Sequence, residues 1–265
     1  MAEEKKNEVV ATFSEALTDR LVSAQAALPS DFNKVRFVQN AMAVLNGNPT
    51  LAKCNKASLM NGLLKGAYLG LDMANNECYL IPYGSEAQFQ VSYIGSIKFV
   101  KKYSIRKIKD IYAEVIREKD IFTRSIVDGE QKFTFEQKLG GGEIVGAFAV
   151  CQFEDGGIQL EVMTVEEINN VRNSYSKQSM GKTWKNSFDE MSKKTVLRRL
   201  CKHINTDFES VEARNAWDEG SGTEFNNNQR VGNPDEVINP FAKKEEPEEE
   251  IIDVEGVEVI DDNES

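Results

Sequence analysis

The feature that most limits what this chain can become is a change of hydrophobic period near residue 76. Ahead of it, apolar side chains recur at three- and four-residue steps. Behind it they alternate, and the alternation is cut by Asp128-Gly129 and Asp155-Gly156-Gly157. Asp-Gly between alternating runs is the strongest short-range hairpin signal, because both residues tolerate the left-handed backbone of a tight turn. The runs 121–127 and 131–136, and the runs 143–154 and 158–163, are therefore predicted to be antiparallel pairs. Residues 77–83 and 87–93 form a third pair across Gly84-Ser85-Glu86. A short helix follows at 94–103 and a long strand at 105–117.

Before the change, Val10, Phe13, Leu17, Leu21 and Ala24 make 7–27 an amphipathic helix, which Pro29 ends. Ser30 is expected to cap a second helix running to Leu45, and a third over 56–69 closes at Gly70. After the strands, Thr164 and Glu167 stand at capping-box spacing, 174–185 is polar and loop-like, and a helix spans Ser187 to Ile204. A short helix is expected near 208–217. Beyond Gly220 the composition falls to Asn, Glu, Asp and Pro, too polar to offset the entropy of ordering. The expected class is α+β, with a helical N-terminal part, a central antiparallel sheet with packed helices, and a disordered acidic tail. The expected divisions are 1–55, 56–218 and 219–265.

No stretch approaches the roughly 18 apolar residues of a membrane span, and MAEEKKNEVV lacks the basic start and apolar run of a signal peptide. A cytoplasmic protein is expected. Cys54, Cys78, Cys151 and Cys201 form no CxxC pair and His203 is the only histidine, so reduced, buried thiols are expected and no metal centre.

A net charge of −11 argues at first against a polyanionic partner, but the charge is segregated. Residues 204–265 hold 4 Lys/Arg against 19 Asp/Glu, which leaves residues 1–203 at +4. Local potential, not the total, attracts a polyanion. Two segments concentrate the basic residues. One is 98–119, with Lys98, Lys101, Lys102, Arg106 and Arg117 among its cations. The other is 172–202, with Arg172, Lys177, Lys182, Lys193, Lys194, Arg198, Arg199 and Lys202.

In the helix of the second segment, Leu197, Leu200, Cys201 and Ile204 share the core face. Lys194, Arg198 and Lys202 form a stripe beside it at four-residue steps. Like charges four apart disfavour a helix by a few tenths of a kcal/mol per pair, a cost that a bound polyanion would offset. In the run QFQVSYIGSIKFVKK, Gln88, Gln90 and Ser92 face one side of a strand with uncharged hydrogen-bonding groups, Phe89, Val91 and Tyr93 face the other, and Lys98, Lys101 and Lys102 follow on the next helix. A polar strand feeding a basic helix is a bed for a nucleic-acid strand, and Trp184 among cations could stack on a base.

Enzyme signatures fail on spacing. Gly181-Lys182-Thr183 has Ser176 where a phosphate-binding loop needs its first glycine, Gly140-Gly141-Gly142 lies between strands, and GxSxG and HExxH are absent. Asp110, Glu114, Glu118 and Asp120 could hold Mg²⁺, the alternative being a metal-dependent nuclease.

Four blocks carry a resemblance: ECYLIPYG (77–84), QFQVSYIGSIKFVKKYS (88–104), DGGIQLEVMTVEEINNVRNSYSK (155–177) and WKNSFDEMSKKTVLRRLCK (184–202). In order and spacing they resemble the RecT family of phage and prophage single-strand annealing recombinases. Ser92 stands where that family often has Gly, and Ile204-Asn205 replaces a usual Leu-Pro. The resemblance implies annealing of single-stranded DNA without ATP or another cofactor, in rings or helical filaments of identical subunits inside a bacterial cell. It also implies a 5′→3′ exonuclease partner and contact between the C-terminal region and a host single-strand binding protein. The acidic tail could compete with DNA for the groove or dock a partner, and its run Ile251-Ile252-Asp253-Val254-Glu255 alternates apolar and acidic residues, as a docking segment would. A single-strand DNA- or RNA-binding module without annealing activity is the other class left open.

Overall fold

The computed structural model describes residues 2–175 and 181–222, with side chains from Thr12 onward and without that of Tyr175. Lys177 and the acidic tail from 223 on lie outside the described residues. Three helices come first: α1 (Ala2–Ser23), α2 (Lys34–Gly47) and α3 (Lys56–Tyr68). The hairpin β1 (Cys78–Tyr83) and β2 (Glu86–Val91) leads into α4 (Tyr93–Tyr103). Five strands follow: β3 (Ile108–Arg117), β4 (Ile121–Val127), β5 (Glu130–Glu136), β6 (Ile144–Phe153) and β7 (Ile158–Thr164). The chain closes with α5 (Val165–Tyr175), α6 (Lys182–Asn186), α7 (Phe188–His203) and α8 (Val211–Gly222).

The class is α+β and the named strands pair antiparallel, but they divide among three sheets rather than one: β1–β2, β3–β6–β7 and β4–β5. Asp128 and Gly129, at φ 52° and 81°, make the left-handed turn of the β4–β5 hairpin. The capping box forms as spaced. Glu167 N–H donates to Thr164 Oγ1 at 3.2 Å, and Thr164 N–H donates to Glu167 Oε2 at 2.9 Å. Ser30 does not cap α2. A turn closes from Phe32 N–H to Pro29 O, so the helix starts later, with the Asn33 side chain accepting from Arg36 N–H at 3.0 Å. Within the stretch expected to be a loop, Lys182–Asn186 is a single helical turn.

Strand β6 is buried on both faces, because two layers need it. Ala147, Ala149 and Cys151 face the main core, and Phe148 and Val150 face a second, smaller core. The small side chains let α7 approach closely with Val196, Leu200 and Cys201. On the other side Phe148 meets Phe122, Phe133 and Phe135 of the β4–β5 hairpin at ring separations of 4.8–5.6 Å. Helices α3 and α8 pack beneath the β1–β2 hairpin, where Leu80, Phe89 and Val91 turn inward.

The turn from β2 into α4 is the tightest junction. Ser92 Oγ accepts from Gly95 N–H at 3.0 Å, and Ser92 N–H donates to Glu77 O at 3.0 Å. A Cβ on Gly95 would lie 1.9 Å from that same Glu77 oxygen, against backbone that cannot swing away. Gly95→Ala is expected to destabilise the fold by about 3 kcal/mol, the upper end of overpacking costs. Gly47→Ala, with nothing within 4 Å, should leave the melting temperature near that of the parent. Thermal melts of the two variants check the contrast.

Candidate nucleic-acid interface

The surface with the most suitable chemistry is built on the outward face of the β1–β2 hairpin. Cross-strand pairing sets Tyr79 opposite Gln90, Ile81 opposite Gln88 and Tyr83 opposite Glu86, so these six share one face. Cys78, Leu80, Ala87, Phe89 and Val91 occupy the other and are buried. The alternation places Gln88 and Gln90 on the polar face, as the sequence predicts. Ser92 does not continue that row: it is 5% exposed and committed to capping α4. The next residue, Tyr93, already belongs to the helix.

Helix α7 joins this surface from the side. Lys194 Nζ lies 5.3 Å from the centre of the Tyr93 ring, a cation–π distance. Arg198, one turn on, is 7% exposed, and its Nη2 donates to Val91 O at 2.6 Å. The middle of the sequence's basic stripe therefore ties α7 to the last residue of β2, while Lys194 remains half-buried at the surface. The Tyr79 hydroxyl is pushed above its ordinary range, first by burial and then by Tyr93 and Cys78, while Arg198 pulls it back. Tyr79, Tyr93, Gln90 and Lys194 thus form one contiguous patch over a buried guanidinium.

The other expected cations do not converge on that patch. Around α4, Lys98 and Lys102 lie on one flank and Tyr93 on the other, with Lys101 outermost. Lys98 Nζ donates to Glu77 Oε2 at 2.7 Å and to Gly70 O at 3.3 Å. Lys102 pairs with Asp31, whose carboxyl it holds below the usual range. Both lysines border a cavity of about 220 Å³ between α2 and α4 that also takes in Arg36 and Asp72. Lys101 lies 3.5 Å from Asp110. Arg106 stacks on Phe153 at 3.9 Å and forms two hydrogen bonds, at 2.6 and 2.9 Å, with Asp155 at the β6–β7 turn. Arg117 ends β3 and donates to Gly142 O at 3.1 Å.

On the remaining helices, Lys193 pairs with Glu190 at 2.6 Å. Arg199 lies 2.9 Å from Glu161 and 3.8 Å from Glu167. Lys202 is half-buried and Lys182 is exposed. Trp184 is 6% exposed, packed near Phe188 with Arg172 5.5 Å from its ring, so it anchors α6 to the body and is covered from a strand outside. Residues 1–222 contain 29 Lys/Arg and 29 Asp/Glu, which is why so many cations find a carboxylate close by.

Of the acidic run 110–120, Glu118 and Asp120 are engaged in loop architecture, while Asp110 and Glu114 lie within β3. Asp120 accepts from Arg117 N–H and Lys138 N–H, both at 2.8 Å, and Glu118 accepts from Glu143 N–H at 3.4 Å. Among the described residues, no three His, Cys, Asp or Glu side chains cluster as metal ligands, and no helix is long and apolar enough to cross a membrane. Burial pushes the Cys201 and Cys151 thiols up to about 12.

Tyr79 and Tyr83 were missed by sequence reasoning. The signal was present in the alternation of CYLIPY, whose outward row follows once its pairing with EAQFQV is known.

The hairpin patch and the helices packed beneath it define an α+β protein with an aromatic, polar and cationic surface. The RecT family matches residues 35–233, three quarters of the chain, and the protein belongs to this family of DNA recombination and annealing proteins. Protein RecT of Escherichia coli (strain K12) is 29% identical over 198 residues, covering 71% of this chain and 72% of that protein. Uncharacterized protein YqaK of Bacillus subtilis (strain 168) is 24% identical over 240 residues, covering 86% and 81%.

Lys194 and Arg198 should separate under substitution. Arg198→Ala leaves the buried Val91 carbonyl without its donor and is expected to lower stability by about 1–3 kcal/mol. Lys194→Ala should leave the chemical-denaturation midpoint unchanged. Urea titrations of both variants measure the difference.

Proposed function

We propose that this protein anneals complementary DNA strands without a nucleotide cofactor, holding single-stranded DNA by its backbone along the surface formed by the β1–β2 hairpin, α4 and α7. Family membership over residues 35–233 carries the reading. The arrangement of Lys194, Gln88, Gln90 and Tyr93 supports it chemically. An annealing protein must hold a strand without covering the Watson–Crick edges. Contacts to phosphate and sugar satisfy that demand and carry no sequence information.

In this reading the first strand runs along an oligomer of identical subunits, and Lys98, Lys101, Lys102, Lys193, Lys202 and Arg199 add phosphate contacts beyond the hairpin. A complementary strand pairs with the presented bases, and the protein stabilises the resulting duplex. A 5′→3′ exonuclease would expose the strand, and a host single-strand binding protein would meet the C-terminal region.

Two complementary oligonucleotides, one carrying a fluorophore and the other a quencher, test this directly. Annealing should accelerate with the protein and without ATP. Affinity for the single strand should fall with salt at a log–log slope of roughly −0.7 per phosphate neutralised, and Lys194→Ala should flatten that slope by about one contact. Strand binding with no gain in annealing rate would instead assign a binding module.

A further inference from the structure

We propose that Tyr79 is a stacking platform for an unpaired nucleobase, so that this protein grips a single strand by base faces as well as by phosphates. The proposal rests on the reading of the hairpin surface as the strand's bed. The aromatic residue that composition pointed to, Trp184, is covered by the body of the protein. Phe37, Phe89, Phe99, Phe148, Phe153 and Trp217 are likewise in the interior. Tyr79 is not: 41% of it is exposed, on the outward face of a paired strand that fixes its backbone.

Its surroundings suit a base on a phosphate chain. The side chain opposite is Gln90, an uncharged hydrogen-bonding group. Arg198 and Tyr93 are close enough to act on its hydroxyl, and Lys194 sits over Tyr93 beside it. Tyr83, four residues along the same row and roughly 13 Å away, is 36% exposed but stands opposite Glu86, whose carboxylate repels phosphate. The hairpin therefore has an end suited to a nucleotide and an end unsuited to one.

Stacking also fits annealing better than hydrogen bonding to bases would. A ring laid against Tyr79 uses its π-face and leaves the Watson–Crick edge open to a complementary strand. A base inside a duplex is already stacked on both sides, so Tyr79 favours the single strand. Every base has a π-face, so the contact is indifferent to sequence.

Titrations of the full chain with oligothymidylate, and with an abasic oligomer of the same length and charge, test the proposal. Tyr79→Ala should weaken oligothymidylate binding roughly tenfold, the scale of one lost stacking contact, and leave abasic binding within about twofold. Tyr79→Phe should retain the parent affinity. Tyr79→Leu, which keeps apolar bulk on the strand without an aromatic face, should behave as the alanine variant does. Equal losses on both probes, no loss on either, or full affinity in Tyr79→Leu overturns the proposal. Lys194→Ala reports separately on the backbone: it should weaken both probes alike. If it weakens neither while Tyr79→Ala stays selective, the backbone reading fails and the stacking contact stands.

Discussion

The hydrogen bond from the Arg198 guanidinium to Val91 O joins the two halves of the candidate interface. A guanidinium taken out of water is costly, and the cost is recovered only where its donors meet acceptors in good geometry. Here the acceptor is the last carbonyl of β2, one residue before the serine that caps α4. The same few atoms therefore set where the hairpin stops, where α4 starts and how α7 lies against them. Gly95 completes the lock from the other side, because only a residue without Cβ lets α4 begin against the Glu77 carbonyl. Tyr79, Gln90, Tyr93 and Lys194 form a patch because this junction leaves their backbones little freedom.

Much of this was readable in the sequence wherever the signal was local. Asp128-Gly129 and the Thr164/Glu167 capping box act within a few residues, and both formed as spacing dictates. Alternation separated Gln88 and Gln90 from Phe89 and Val91. The failures at Ser92 and Arg198 share a cause: each depended on a partner distant in sequence. Ser92 looks like the next polar residue of a strand until Glu77 takes its N–H and Gly95 its hydroxyl. Arg198 looks like one member of a basic stripe until β2 passes over it. Ser30 lost its cap role to Asn33 because Pro29 first closes a turn with Phe32. Conversely, Tyr79 was overlooked because its exposure depends on which side of the hairpin α3 and α8 cover.

The layering of β6 explains why the fold can support an interface on one side without disturbing the other. Its alanines and Cys151 serve the core shared with α7, while Phe148 and Val150 serve the separate cluster beneath the β4–β5 hairpin. That hairpin contributes Phe122, Phe133 and Phe135 around Phe148 and sits on the face of the sheet opposite α7. Family membership over 35–233 takes in both layers.

The pairing of Lys98, Lys101, Lys102, Arg106, Lys193 and Arg199 with carboxylates of the same chain has a kinetic meaning. For a DNA strand lying across them, each phosphate contact is an exchange of one anion for another, and the displaced anion never diffuses away. On the proposed strand path, Asp31 would stay within reach of Lys102 and recapture it when a phosphate lifts. On the proposed reading, such a surface would let a strand leave one nucleotide at a time rather than all at once.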